Sequence, residues 1–75
     1  MLSRSEAVEL LHTYRTDAAY LRQTLRETDP DFTSLPWWPE HIERTKSHLE
    51  ANERFQRYLQ GIIRYADIVA KQPTR

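Results

Sequence analysis

The fold of this 75-residue chain is decided by residues 39–71, PEHIERTKSHLEANERFQRYLQGIIRYADIVAK, whose pattern predicts one long amphipathic helix. Pro39 suits the first helical turn, and Pro73 is the predicted stop. Between positions 55 and 70, ten of sixteen residues are apolar, and all but Ile68 fall within one broad arc at about 100° per residue. Because one partner helix cannot cover so wide an arc, the pattern predicts further association.

A first helix is predicted over residues 4–27. Ser3 and Glu6 have the spacing of a capping box, which marks a helix start. The apolar residues that follow recur at heptad spacing, as expected of a helix that packs along a partner: Ala7, Leu11, Tyr14, Ala18, Leu21 and Leu25. The sequence therefore predicts a single all-α domain, an antiparallel two-helix hairpin with a long second helix, which dimerises into a four-helix bundle.

The connection over residues 28–38 is longer and more apolar than most links between antiparallel helices. It contains Phe32, Leu35, Trp37 and Trp38, and we expect it to fold back and plug the end of the bundle. The backbone directions imposed by neighbouring prolines make it hard for both indoles to enter one cavity. We therefore expect one tryptophan to be buried and the other open.

The open indole is the predicted anchor of a partner-binding site, since tryptophan is enriched at binding hot spots. Residues on the first turns of the second helix border it, so the predicted partner-binding set is Trp37, Trp38, His41 and Arg44. The competing interpretation is that both rings form only a hydrophobic plug.

The single glycine of the chain, Gly61, lies inside the second helix, where glycine costs about 1 kcal/mol relative to alanine. A close approach by another helix accounts for this, and a slight bend is the alternative. With the apolar residues around it, Gly61 defines a predicted dimer interface of Phe55, Tyr58, Gly61, Ile62, Tyr65 and Ile68.

The apolar stripe does not continue to the start of the second helix. Its direction, projected toward the N-terminus, meets polar residues: His41, Arg44, Thr45, His48 and Asn52. We interpret them as the solvated face of an overhanging helix. The alternative is a polar group along the bundle axis, which would need hydrogen-bond partners because an unpaired buried polar group costs about 1–3 kcal/mol.

Composition narrows the functional classes. Eleven basic residues balance eleven acidic ones, so a strong nucleic-acid footprint is not visible in the total charge. The absence of cysteine excludes disulfides and thiolate metal sites and is compatible with a reducing compartment. No apolar run reaches bilayer length, and we expect a cytoplasmic protein without a membrane role.

No motif indicates catalysis, because no glycine-rich loop or activated nucleophile is visible, so we expect no enzyme and no cofactor. Glu9 and His12 have a di-iron spacing, but Glu9 projects away from the core face. His41 and His48 lie two turns apart, so a metal site there would need two copies of the chain.

The leading functional prediction is a small non-enzymatic interaction, regulatory or adaptor protein that acts as a homodimeric helical bundle and binds a protein partner. The alternative is a nucleic-acid-binding bundle that uses an arginine stripe, Arg15, Arg22 and Arg26, along one border of the first helix. The third possibility is a metal site at the dimer interface. The balanced charge disfavours nucleic-acid binding, and the direction of Glu9 away from the core disfavours the metal site.

Overall fold

A computed structural model describes residues 2–71 as three helices. They are α1 (Arg4–Leu25), α2 (Pro30–Thr33) and α3 (Trp38–Lys71). The two long helices, α1 and α3, pack against each other, and no strand is present within residues 2–71. The all-α helical hairpin is therefore confirmed. The predicted stop at Pro73 lies outside the residues that the structure describes.

α1 begins with the predicted capping box. The Ser3 hydroxyl accepts a hydrogen bond from the Glu6 backbone N–H, and the Glu6 carboxylate accepts one from the Ser3 backbone N–H, each at 3.2 Å. These bonds satisfy donors that the first turn of a helix leaves unpaired. The helix ends at Leu25, two residues before the predicted end.

The connection between the long helices contains one short helix, α2. Asp29 caps it, because its Oδ1 accepts a hydrogen bond from the Asp31 N–H at 3.0 Å, and Pro30 occupies the first helical position. An aspartate followed by proline is a typical helix start. α2 contacts α3.

α1 and α3 run antiparallel with a narrow core between them. The start of α1 lies beside the end of α3, where Arg4 Nε and Asp67 Oδ1 are 2.8 Å apart. Leu59 is the largest fully buried side chain, and two alanines of α1, Ala7 and Ala18, are fully buried as well. Small residues let the helix axes approach, but they bury little apolar area.

A polar group lies inside this helix pair. Asn52 is buried, its Nδ2 donates to the Tyr14 carbonyl at 2.9 Å, and its Oδ1 accepts from Gln56 Nε2 at 2.6 Å. Thr45 is also buried, and its hydroxyl donates to the His41 carbonyl at 2.8 Å.

The solvated-face prediction is therefore wrong for Thr45 and Asn52, because both are buried. Asn52 has a hydrogen-bond partner in α1, and Thr45 has one in its own helix. The prediction holds for His41 and His48, which are exposed. Within residues 2–71 no buried side-chain nitrogen or oxygen lacks a hydrogen-bond partner, as expected of a native polar interior.

The Cα atoms span 65 × 15 × 14 Å, so a single layer of side chains separates the two long helices. The accessible surface is 6170 Å². A compact monomer of this mass would expose about 4,900 Å² by the usual scaling of surface with size. The single chain is thus a rod whose exposed surface exceeds that of a compact monomer by about a quarter.

Candidate functional site

The first candidate surface is the C-terminal strip of α3, which consists of Tyr58, Gly61, Ile62, Tyr65 and Ile68. Tyr58 is 56% exposed and Tyr65 is 61% exposed, although both rings are large and largely apolar. A shallow groove of about 290 Å³ lies between Tyr58, Ile62 and Tyr65, with Gly61 at its floor. Contiguous exposed apolar surface of this kind marks interaction sites.

Gly61 is an exposed position of the C-terminal strip. Apart from its two chain neighbours and the backbone of its own helix, a Cβ atom placed on it would meet no heavy atom within 4 Å, so no other element within residues 2–71 approaches this position. The close approach by another helix, which would explain a glycine here, is therefore not supplied by α1.

Phe55, the remaining member of the predicted dimer interface, lies at the α1 contact. Its ring stacks on Tyr14 with centroids 4.7 Å apart, and its side chain is half-buried. The Tyr58 ring lies 5.5 Å from Phe55, so the aromatic residues lead from the core out to the C-terminal strip. The structure thus leaves four of the six predicted residues exposed on α3, namely Tyr58, Gly61, Tyr65 and Ile68. Ile62 is half-buried at the edge of the core, and Phe55 lies between the helices.

The second candidate surface, which we call the loop-end cleft, lies where α1 ends and α3 begins. It encloses about 340 Å³, and residues of α1, the connection and α3 line it: Tyr20, Gln23, Thr24, Glu27, Phe32, Trp38 and His41. Trp38 and His41 were predicted from the sequence. Tyr20 and Glu27 were missed, although an aromatic residue outside the heptad seam of α1 was a usable signal.

The two tryptophans differ in exposure. Trp37 is 54% exposed, whereas Trp38 is half-buried and lines the loop-end cleft. His41 packs against both indoles, with ring centroids 5.7 Å from Trp37 and 5.4 Å from Trp38. The arrangement leaves one indole open and holds the other against the helices.

Arg44 was predicted to border the open indole. Its Nη2 lies 2.6 Å from Glu40 Oε1 one turn earlier, and both side chains are mostly exposed. Such a pair contributes only a few tenths of a kcal/mol to stability. Arg44 therefore neutralises a carboxylate at the start of α3.

Acidic residues surround the loop-end cleft. Residues 27–43 contain no lysine or arginine and five carboxylates, at Glu27, Asp29, Asp31, Glu40 and Glu43. Two of them have a basic neighbour on α3, since Glu40 contacts Arg44 and Glu43 contacts Lys46 at 3.4 Å. A chain of zero net charge thus carries a strongly acidic end.

The three arginines of the predicted stripe lie in different surroundings. Arg22 Nη2 is 3.9 Å from Glu53 Oε2 across the helix pair. Arg15 lines a groove of about 480 Å³ together with Arg64 and Lys71 of α3. Arg26 follows the last residue of α1 and is exposed.

The predicted metal-ligand candidates are not gathered by the fold. Within residues 2–71 no group of three or more histidine, aspartate or glutamate side chains is placed to hold a metal ion. His12, His41 and His48 are all exposed. In the same part of the chain no helix has the length and apolarity that crossing a bilayer requires.

No family model matches the chain, and no curated protein or solved structure is significantly similar to it.

Proposed function

We propose that the protein is a non-enzymatic interaction protein that works as a homodimeric helical bundle, with the C-terminal strip of α3 as the dimer interface. The observation that carries the proposal is the exposure of Tyr58 and Tyr65 on either side of the uncovered Gly61. A second copy is the occupant that this strip fits, because its own strip offers matching apolar surface.

The exposed area is consistent with this proposal. The surplus over a compact monomer is about 1,300 Å², whereas a stable interface of standard size covers about 800 Å² on each partner. A dimer could therefore bury a standard interface and still leave the loop-end cleft open.

The spacing of the C-terminal strip suggests how two copies pack. Tyr58, Gly61, Tyr65 and Ile68 follow one another at intervals of three or four residues, which is the seam of a helix pair. In an antiparallel crossing centred near Gly61, the missing side chain lets the two backbones approach closely. Tyr58 would then lie near Tyr65 of the partner subunit, and aromatic pairs favour such association.

Sedimentation equilibrium at micromolar concentration tests the dimer. We expect a mass of twice 9.0 kDa. A single species of 9.0 kDa across the micromolar range would refute the proposal, because an interface of standard size normally holds at those concentrations.

The loop-end cleft is the proposed site for a different protein partner. Its aromatic residues lie at an exposed end of the molecule, away from the C-terminal strip, so a dimer would present two copies of it. We also propose a cytoplasmic location, with which the absence of cysteine is compatible.

Nucleic-acid binding is the second candidate, and one observation favours it: Arg15, Arg64 and Lys71 line one groove. The zero net charge and the contact of Arg22 with Glu53 weigh against it. We expect no binding of RNA or DNA at physiological salt. Tight binding whose affinity falls by about 0.7–0.9 decade per phosphate contact per decade of salt would promote this candidate instead.

A further inference from the structure

We propose that the loop-end cleft binds an arginine side chain presented by a basic segment of a partner protein. This inference deepens the proposed interaction role, on which it rests, by naming the chemistry of the partner. It combines three features of one end of the molecule: planar ring faces, an available carboxylate and an acidic surrounding.

Planar rings line the loop-end cleft from three parts of the chain. Tyr20 projects from α1, Phe32 from α2, and Trp38 and His41 from the start of α3. Tyr20 and Phe32 are exposed, so their faces are accessible to a ligand. A guanidinium group stacks on aromatic faces through cation–π attraction, and tryptophan is the strongest such partner.

Glu27 adds a hydrogen-bond acceptor to the loop-end cleft. Its Oε1 accepts hydrogen bonds from the backbone N–H groups of Thr28 and Asp29, at 3.1 Å and 3.0 Å. These bonds hold the carboxylate in place, and its other oxygen, Oε2, takes part in no hydrogen bond within residues 2–71. A carboxylate with an unused oxygen is a strong acceptor for a guanidinium N–H.

The surrounding charge selects a cation. Glu27, Asp29 and Asp31 have no lysine or arginine nitrogen within 4.0 Å in the described part of the chain. Together with Glu40 and Glu43 they give this end a potential that attracts basic segments and repels phosphates and acidic peptides. Arg26 and Arg44 lie at the two ends of the acidic stretch, and Arg44 already forms an ion pair with Glu40.

The flat walls favour arginine over lysine. Guanidinium is planar and weakly hydrated, so it loses less solvation on stacking than a compact ammonium group does. The cleft volume of about 340 Å³ accommodates a side chain of this size, with further room for the flanking peptide.

The probe is a blocked ten-residue peptide of alternating arginine and glycine, with matched peptides that carry citrulline, lysine or glutamate instead of arginine. Binding to the full chain is followed by tryptophan fluorescence and calorimetry at about 50 mM and about 300 mM salt. We expect the arginine peptide to bind, citrulline to weaken binding about tenfold, and high salt to weaken it as well. Lysine should bind about threefold more weakly than arginine.

Two variants test the proposed contacts. Glu27→Gln keeps an oxygen for the two backbone hydrogen bonds but removes the charge, and it should weaken the arginine peptide about tenfold. Phe32→Leu keeps apolar bulk but removes the ring face, and it should weaken binding about threefold. Glu9→Gln, a matched change at an exposed carboxylate of α1 outside the loop-end cleft, should leave affinity unchanged. Circular dichroism confirms that each variant folds.

Four outcomes would overturn the inference. They are equal affinity for the arginine and citrulline peptides, tighter binding of the glutamate peptide, no binding of the arginine peptide by the folded protein, and an unaffected Glu27→Gln variant. Self-association beyond the dimer that the arginine peptide reverses would also overturn it, because a second copy would then occupy the cleft.

The dimer and the cleft fail separately. If the protein sediments as a monomer and still binds the arginine peptide, the proposed dimer is refuted and the proposed arginine site stands. If the protein is a dimer and does not bind the arginine peptide, the arginine site is refuted and the proposed dimer stands.

Discussion

The two ends of this helix pair have different coverage. At the loop end, the 34-residue α3 extends beyond the 22-residue α1 by several turns, and α2 of the connection contacts α3. At the other end, Arg4 meets Asp67, so α1 begins where α3 nearly ends. At the loop end, the connection therefore covers part of α3. At the other end, no element within residues 2–71 covers the outer side of α3.

The surfaces differ in chemistry as well. The loop end combines rings from three segments with five carboxylates. The other end exposes tyrosines and aliphatic side chains of one helix, with basic residues beside them at Arg15, Arg64 and Lys71. A composite cleft suits an inserted side chain, whereas a continuous helical strip suits a second helix. One short chain therefore presents two exposed surfaces of different chemistry.

The largest expected effect concerns the loop end. Trp38→Ala should lower the free energy of unfolding by about 2 kcal/mol, since Trp38 is half-buried and full aromatic truncations cost about 3–5 kcal/mol. Trp37→Ala should change it by less than about 0.5 kcal/mol, because Trp37 is exposed. Urea unfolding at one fixed protein concentration measures both.

Fluorescence provides an independent check of the same contrast. In the single-tryptophan protein Trp37→Phe, the remaining Trp38 should be shielded from acrylamide, and in Trp38→Phe the remaining Trp37 should be quenched readily. If both indoles were equally shielded from acrylamide, the loop end would be only a hydrophobic plug, and it would not differ from the C-terminal strip as a binding surface.

The next effect concerns the C-terminal strip. Gly61→Leu should weaken dimerisation about tenfold, because a branched side chain at a close crossing of helices overpacks it. Gln60→Leu adds the same side chain at an exposed position next to the strip and should have a much smaller effect. Sedimentation equilibrium compares the two dissociation constants. Similar effects would indicate that Gly61 only permits a bend.

The smallest effect concerns the start of α1, beside the C-terminal end of α3. Two hydrogen bonds lower the pKa of Glu6 below the ordinary glutamate value. The larger effect comes from the Ser3 side chain and the smaller from the Ser3 backbone N–H. Ser3→Ala removes the first of these, so the pKa of Glu6 should rise toward that value. Carboxyl NMR titration measures it, and Ser5→Ala is the matched control, which should leave the pKa unchanged.

The sign of the accompanying stability change follows from linkage. Because the folded-state pKa of Glu6 is lowered, its contribution to stability is present above the ordinary glutamate pKa and is lost as the pH falls through the lowered value. The stability difference between wild type and Ser3→Ala should therefore narrow in acid. A difference that stays constant with pH would mean that Ser3 acts only as a cap.

Much of the fold could be predicted because its signals are local. The capping box at Ser3 and Glu6, and the heptad run through Ala7 and Leu11, depend on residues within one or two turns of each other. The helical turn of α2 had a local signal too, the Asp29–Pro30 pair, but no helix was predicted in the connection. Of the predicted partner-binding residues, Trp38 and His41 line the loop-end cleft. The prediction lacked Tyr20 and Glu27, which reach the cleft from α1 and from the connection that follows it.

The sequence by itself determined the helices and the amphipathic direction of each, because hydrogen bonding and hydrophobic periodicity act over a few residues. Only the tertiary structure decided which polar residues lie inside. Asn52 belongs to a polar run on α3 that predicts a solvated face, yet it is buried because Tyr14, thirty-eight residues away in sequence, offers its carbonyl at 2.9 Å. The same holds for Phe55. The apolar pattern predicts that it lies in an outer interface, whereas in the structure its ring stacks on Tyr14 at the α1 contact. Such choices depend on the lateral register of two helices, which no local pattern encodes.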